Sequence, residues 1–198
     1  MLTKAELTSK YIVETVAPLF NQKGYAATSM RDITEATGLT KGAIYGNFEN
    51  KEGLAIAAFK MNANELLKKV GAHQNKSDNP LEKLYLITDF YRNYYVVSRQ
   101  LGGCPILNIG VDAAYQDTEL LLQVQRVVIK TQEHITKLVT WGQAEGRIRS
   151  EVVPNTFARF LYTRIQGAIF MSQTMDDYSY LSEATAEVDR YMDENLKP

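Results

Sequence analysis

Residues 28–51 carry a set of hydroxyl, amide and ammonium groups spaced to suit contact with phosphate. Thr40, Lys41, Tyr45 and Asn47 are polar or amphipathic and lie on the side of a short helical pattern that no core needs. Gly42, near the start of that pattern, removes a side chain where backbone N–H groups could approach a phosphate oxygen. The other reactive group is Cys104, the single cysteine. A thiol nucleophile needs a base, but His73 falls in a polar loop and His134 sits inside a long helix beside Glu133, neither with an evident catalytic partner. A thiol enzyme is therefore the minor alternative, and no catalytic residue is assigned. There is no CxxC, no HExxH and no clustered His/Cys set, so neither a metal site nor a cofactor is expected.

The elements that must hold the polar set can be read from their caps. Ser29 begins a helix as N-cap, with Asp32 three residues on in a capping box. Ile33 and Ala36 give that helix an inward face. Gly38 ends it, because glycine tolerates a positive φ, and Leu39 packs back toward the core. Thr40 is a second N-cap, and residues 41–48 read as a second helix with Ala43, Ile44 and Phe48 on one face. Asn50 caps a third helix beginning at Lys51. Two short helices joined by a tight glycine turn form the helix-turn-helix pattern, whose second helix enters the DNA major groove. An ordinary helical hairpin with a solvated polar face would give the same local pattern.

Residues 9–59 resemble the N-terminal domain of the TetR/AcrR family of bacterial transcriptional regulators. The resemblance rests on Leu19-Phe20, Lys23-Gly24-Tyr25, Thr28-Ser29, Asp32-Ile33, Gly38-Leu39-Thr40-Lys41-Gly42, Ile44-Tyr45, Phe48, Lys51 and Leu54, in the family's order and spacing. It implies that Thr28, Thr40, Lys41, Gly42, Tyr45 and Lys51 contact DNA backbone or bases, with Tyr45 and Lys51 at phosphate-contact positions. Ser29, beside Thr28, and Asn47 complete the expected DNA-binding set. Thr34 and Thr37 depart from the usual alanines, Gly46 replaces a larger residue that often reaches DNA, and Asn47 stands where histidine is frequent. Those departures leave the base-reading code open.

The chain has 198 residues, 45% of them hydrophobic, enough for one medium domain or two small ones sharing a core. No apolar run approaches the roughly 18 residues of a membrane span. One cysteine excludes an internal disulfide and, with no signal-like stretch at the N-terminus, suits a reducing cytoplasm. Net charge is −1, divided as +1 over residues 1–60 and −2 over the rest. That bias is too weak to bind nucleic acid by its field alone, so a few placed cations on a dimer must do it.

Almost every segment reads as helix, giving an all-α expectation. An N-terminal three-helix DNA-binding domain with a helix-turn-helix is expected over residues 1–55, and a C-terminal helical ligand-binding and dimerisation domain over 56–198. Ile12, Val16, Leu19 and Phe20 form the stripe of the first helix, which Pro18 should loosen. The helix from Lys51 is expected to run to about Val70, followed by a polar loop over 71–79. Pro80 opens a helix that Gly102-Gly103 stops, and Pro105 opens a short one. Asp117 or Thr118 caps a long helix with Leu121, Val124, Val128, Ile135 and Leu138 inward. Pro154 precedes an apolar helix, and a last one begins at Tyr180 or Ser182. Residues 147–153 are the one β-like run.

Three further sites are expected. The aromatics Phe90, Tyr91, Tyr94, Tyr95, Trp141, Phe157, Phe160 and Phe170 come from three helices; most are core, and some would line a cavity between helices. The ligand pocket is assigned to Tyr91, Tyr95, Cys104, Trp141 and Phe160, since regulators of the resembled family commonly bind a small inducer there. A stripe through Phe157, Leu161, Ile165 and Ile169 is assigned to a homodimer interface, as the family's last two helices form one. Two-fold symmetry would then set two recognition helices about 34–36 Å apart on an inverted-repeat operator. Cys104, at the start of the helix opened by Pro105, is either a thiol activated by the helix dipole, which would sense electrophiles or oxidants, or a small buried side chain beside Ile106. The sequence thus points to a DNA-binding regulator, a repressor released from double-stranded DNA by a small molecule, with no membrane partner.

Overall fold

The structure, a computed structural model, describes residues 3–100, 102–114 and 118–198. Ten helices and no strand occur among them: α1 (Lys4–Lys23), α2 (Met30–Thr37), α3 (Lys41–Tyr45), α4 (Lys51–Gln74), α5 (Pro80–Arg92), α6 (Tyr94–Gln100), α7 (Pro105–Ala113), α8 (Glu119–Ala144), α9 (Pro154–Met175) and α10 (Ser179–Asn195). They pack into two compact units. The first comprises residues up to 66 together with 101–127, and the second comprises 67–100 with 128–198. The packing therefore does not follow a cut at residue 55. Its boundaries fall inside α4 and α8, and α7 belongs with the N-terminal helices.

In the first unit, Ile12, Val16, Ala17 and Phe20 of α1 are buried with Ile33, Ile44, Leu54, Ala58 and Phe59. Each of the isoleucine, valine, leucine and phenylalanine side chains contributes about 1.5–3 kcal/mol by leaving water. α1 continues through Pro18 without interruption, and Thr3 and Glu6 form a capping box at its start. Two expectations about inward faces fail. In α2 the buried pair is Ile33 and Thr37, with Ala36 exposed. In α3 only Ile44 is buried, and the helix stops at Tyr45, short of Phe48. Gly46 and Asn47 close it with N–H bonds to Gly42 and Ile44.

α7 is tied to α1 by a reciprocal pair of amides. Asn21 Nδ2 donates to the Gly103 carbonyl at 3.0 Å, and Asn108 Nδ2 donates to the Asn21 carbonyl at 2.9 Å. Gly102 approaches so closely that a Cβ there would lie 2.1 Å from Gln22 Cγ, and its φ is +76°. Asp112 completes the junction by accepting the backbone N–H groups of Tyr25 at 2.5 Å and Ala26 at 3.0 Å. Long-range bonds to two loop N–H groups fix the turn that leads into α2.

In the second unit, α9 packs along α10, and α10 packs on α5. α4 continues to Gln74, beyond the expected end at Val70. The helix from Pro80 breaks at Asn93, where φ −101° and ψ 3° leave the helical region, so α5 and α6 are separate. Thr118 accepts from Leu121 and Leu122 at the start of α8; Asp117, the other expected cap, lies outside the described residues. Leu120, Val124, Ile135, Leu138 and Val139 are the buried large apolar residues of α8, and Leu121 and Val128 are only partly inward. The β-like run is a turn segment in which Arg147 and Ile148 both donate to the Gly142 carbonyl.

Candidate nucleic-acid interface and ligand cavity

α3 is five residues long, far below the length at which a helix stands alone in water. Its geometry is imposed by its ends. Ser29 starts α2 with a complete capping box: its hydroxyl accepts from the Asp32 N–H at 3.1 Å, and its own N–H donates to Asp32 at 2.7 Å. Lys23 Nζ reaches the same carboxylate at 2.7 Å. These hydrogen bonds, Lys23 first, hold the Asp32 carboxyl far below its ordinary pKa. Gly38 turns the chain at φ +68°, and Thr40 accepts from the Ala43 N–H at 3.2 Å to start α3.

Thr40, Lys41, Gly42 and Tyr45 are then all exposed. Lys41 Nζ stands 5.7 Å from the centre of the Tyr45 ring, so cation and phenol share one face. Three other residues of the expected DNA-binding set are committed to the fold. Thr28 is fully buried, and its hydroxyl donates to the Gly24 carbonyl at 2.6 Å. Asn47 accepts from the Ser9 hydroxyl and donates to the Ala43 carbonyl, both at 2.9 Å, which fastens the end of α3 to α1. Lys51 Nζ donates to the Tyr25 carbonyl at 2.6 Å and lies over the Tyr25 ring. Desolvation lowers its pKa, partly offset by Asp112 and Asp32. Ser29 is exposed but serves as the cap. Short polar side chains bond their own backbone as readily as they face outward, and type alone did not separate the two uses.

The second unit holds a cavity of about 250 Å³ that is partly open to solvent. Leu67 and Val70 of α4, Ile87 and Tyr91 of α5, Ile135 of α8 and Ile165 of α9 give it apolar walls. Gln74, Lys130, His134, Tyr162 and Gln166 add polar atoms. His134 Nε2 lies 3.0 Å from Gln74 Oε1. Because Gln74 Nε2 donates to the Lys83 carbonyl at 3.2 Å, its Oε1 is the acceptor, and the His134 proton sits on Nε2. Desolvation first, then Lys83 and Lys137, lower the His134 pKa.

Of the expected pocket residues, Tyr91 lines this cavity and four do not. Tyr95 is half-buried outside the cavity, with its hydroxyl donating to Asp176 at 2.5 Å. Phe160 packs on Tyr191, ring centres 4.6 Å apart. Trp141 is 39% exposed and borders a neighbouring depression. Cys104 belongs to the first unit and is fully buried at the start of α7, with no cap hydrogen bond from its side chain. A thiol without accessible surface meets no electrophile in this conformation, so its place is that of the small packed side chain. Both histidines are engaged elsewhere, His73 with Asp89 at 2.7 Å and His134 with Gln74.

The stripe expected at the dimer interface lies inside the chain. Phe157, Leu161, Ile165 and Ile169 are all buried within one chain, and Ile165 borders the cavity. The spacing found a real stripe on α9, but it is the face turned to its own unit. Among the described residues, no group of His, Cys, Asp and Glu could hold a metal ion, and no helix is long and apolar enough to cross a membrane.

Comparison with known proteins assigns both parts. Residues 12–58 match the family model of bacterial regulatory proteins, tetR family, and residues 80–188 match that of the tetracyclin repressor-like C-terminal domain. The HTH-type transcriptional repressor DhaR of Mycobacterium sp. (strain GP1) is 26% identical over 164 residues, which cover 81% of this chain and 79% of that protein. A TetR transcriptional regulator from Chloroflexus aurantiacus J-10-FL superimposes with a TM-score of 0.93 at 31% identity, covering 99% of each chain. A TetR-family regulator from Cytophaga hutchinsonii does so with 0.91 at 30%, covering 99% of this chain and 98% of its own. With a helix-turn-helix whose second helix displays a polar face, the chain belongs to the tetR family of bacterial regulatory proteins and is a DNA-binding transcriptional regulator.

Proposed function

We propose that the chain is a repressor that binds its operator as a homodimer and leaves it when a small molecule enters the cavity of the second unit. The observation that carries the DNA half is the exposed Thr40, Lys41, Gly42 and Tyr45 face on a helix fixed from behind by Ile44 and Asn47. Thr40 and the α3 backbone N–H groups meet phosphate, Lys41 supplies the cation, and Tyr45 reaches phosphate or base edge. Lys51 acts chiefly by fixing the Tyr25 turn.

The dimer face lies on the other side of α9 from the stripe first chosen. Thr163, Gly167, Phe170 and Thr174 are exposed and recur at intervals of four, three and four. Phe170 is 49% exposed, and a Cβ at Gly167 would meet nothing within 4 Å. A large apolar residue beside a bare helix backbone suits close approach by a second copy. A two-fold pairing would set the α3 helices about 34–36 Å apart. Ligand binding would favour a conformation that no longer matches that spacing.

The test pairs sedimentation with gel shift on DNA flanking the gene. The unmodified protein should sediment as a dimer and retard a fragment carrying an inverted repeat. Phe170→Asp should give monomers with DNA affinity reduced more than tenfold. A monomeric parent protein that still binds one inverted repeat tightly would sink the homodimer reading.

A further inference from the structure

The cavity adjoins a second depression of about 430 Å³ on the same unit, and the two share Gly71, Gln74 and His134. Their linings differ in kind. The first is walled by aliphatic side chains and two tyrosines; the second is bordered by Lys83, Lys137 and Trp141. Lys130 stands at the edge of the first. Lys130, His134, Lys137 and Trp141 recur at four, three and four along α8, so one face of that helix carries them past both spaces.

The positive charge there is not neutralised. None of Lys83, Lys130 and Lys137 forms an ion pair with a carboxylate of the described residues. Lys83 is partly used: its ammonium donates to the Gln74 carbonyl at 3.1 Å, where α4 ends. That contact meets the negative end of the helix and leaves Lys137 and Lys130 as cations without a partner charge. The depressed pKa of His134 reports the same convergence, since both Lys83 and Lys137 act against its protonation.

We propose that the effector is an anionic amphiphile, with an apolar body in the chamber and a carboxylate or phosphate head beside His134 and Lys137. This rests on the reading of the cavity as the effector site. The chamber volume sets the body's size. At about 30 Å³ for a water-sized group, 250 Å³ holds about eight such groups, which is a medium-length chain or one substituted ring. A cationic head would face Lys83 and Lys137, and a neutral one would leave them unused.

The experiment titrates the full chain with octanoate, octyl phosphate, octan-1-ol and octyltrimethylammonium. It is followed by calorimetry and by the emission of Trp141, the only tryptophan, which borders the head-group space. The octyl anions should bind at least tenfold more tightly than octan-1-ol, and the cation most weakly. Whichever anion binds better identifies the head as carboxylate or phosphate. Lys137→Glu should weaken the anions about tenfold and leave octan-1-ol unchanged. Equal binding of octanoate, octyl phosphate and octan-1-ol overturns the proposal, as does an unchanged preference in Lys137→Glu or no binding of any octyl compound. Two controls separate this from the reading beneath it. Equal binding of anion and alcohol, with both lost in Gly71→Leu, would remove the anionic head and keep the cavity. Tight anion binding without operator release in a gel shift would keep the ligand class and remove its regulatory role.

Discussion

The two functional regions are built in opposite ways. The surface proposed to face DNA is polar, and most of it comes from one short stretch whose shape is dictated by three caps: Ser29, Gly38 and Thr40. The cavity is concave and apolar, and α4, α5, α8 and α9 each supply part of its wall. A partner with a fixed repeat, such as duplex DNA, needs a few groups held rigidly at one angle. A small ligand needs enclosure, which no single element can provide. The first kind of site is fragile to a change in its frame and tolerant in its outward side chains. The second is tolerant of any one wall residue and sensitive to loss of space.

The largest effect expected from that contrast is at Ile44, the single buried residue of α3. Ile44→Ala should cost about 2–5 kcal/mol of stability in urea denaturation and remove DNA binding, whereas Ile135→Ala in the cavity wall should leave DNA binding intact. Equal loss of DNA binding in the two variants would break the comparison.

Next in size is Lys41→Ala. It should weaken operator binding by about 1–3 kcal/mol and lower the slope of log affinity against log salt by about one per protomer. Thermal stability should not change, because Lys41 is exposed and bonds nothing behind it. An unchanged salt slope would show that the cation faces away from phosphate.

Gly71→Leu sharpens the other side. A Cβ there would meet no atom within 4 Å, and glycine inside a helix is about 1 kcal/mol worse than alanine. The variant should melt no lower than the parent, bind operator normally and lose ligand response. A lowered melting temperature would mean that the space is already occupied by packing.

Smallest is the acid response of the α2 cap. The folded pKa of Asp32 is held well below its unfolded value of about 3.9. The cap's contribution is therefore complete above pH 4 and lost as pH falls through the folded value. Asp32→Asn should flatten that part of the stability–pH curve, destabilising the protein at pH 7 and converging on the parent at low pH, whereas Ser29→Ala should cost about 0.5–2 kcal/mol.

The same contrast explains what could be read from the chain. Ser29-x-x-Asp32, Gly38 and Thr40 are local signals, and all three caps occur as read. The cavity residues come from four helices spread over about 100 positions of sequence, and aromatic type does not tell direction. Tyr91 turns in, while Tyr95 is half-buried outside the cavity and Trp141 lies at the surface. The sequence offers His134 only as a base without a partner and does not single out Gln74, because each is a polar residue on an otherwise mixed face and their mutual bond spans 60 residues. α9 carries one apolar stripe, Phe157–Ile169, and an outer face of Thr163, Gly167, Phe170 and Thr174 whose mostly small, polar residues give periodicity nothing to mark. Asn93 breaks a helix with no glycine or proline to announce it.

Residues 101–127 complete a unit begun by residues up to 66, and this has a consequence for synthesis and for grafting. Asp112 and Asn108 supply the acceptor and donor groups that secure the turn at Tyr25 and the end of α1. On the ribosome, at about 5–20 residues per second, the helix-turn-helix is made well before the segment that locks it. A chimera that transplants only residues 1–55 onto another regulator would leave those partners behind, and the foreign chain would have to offer a carboxylate and an amide at the same two places. The transferable module is the discontinuous one.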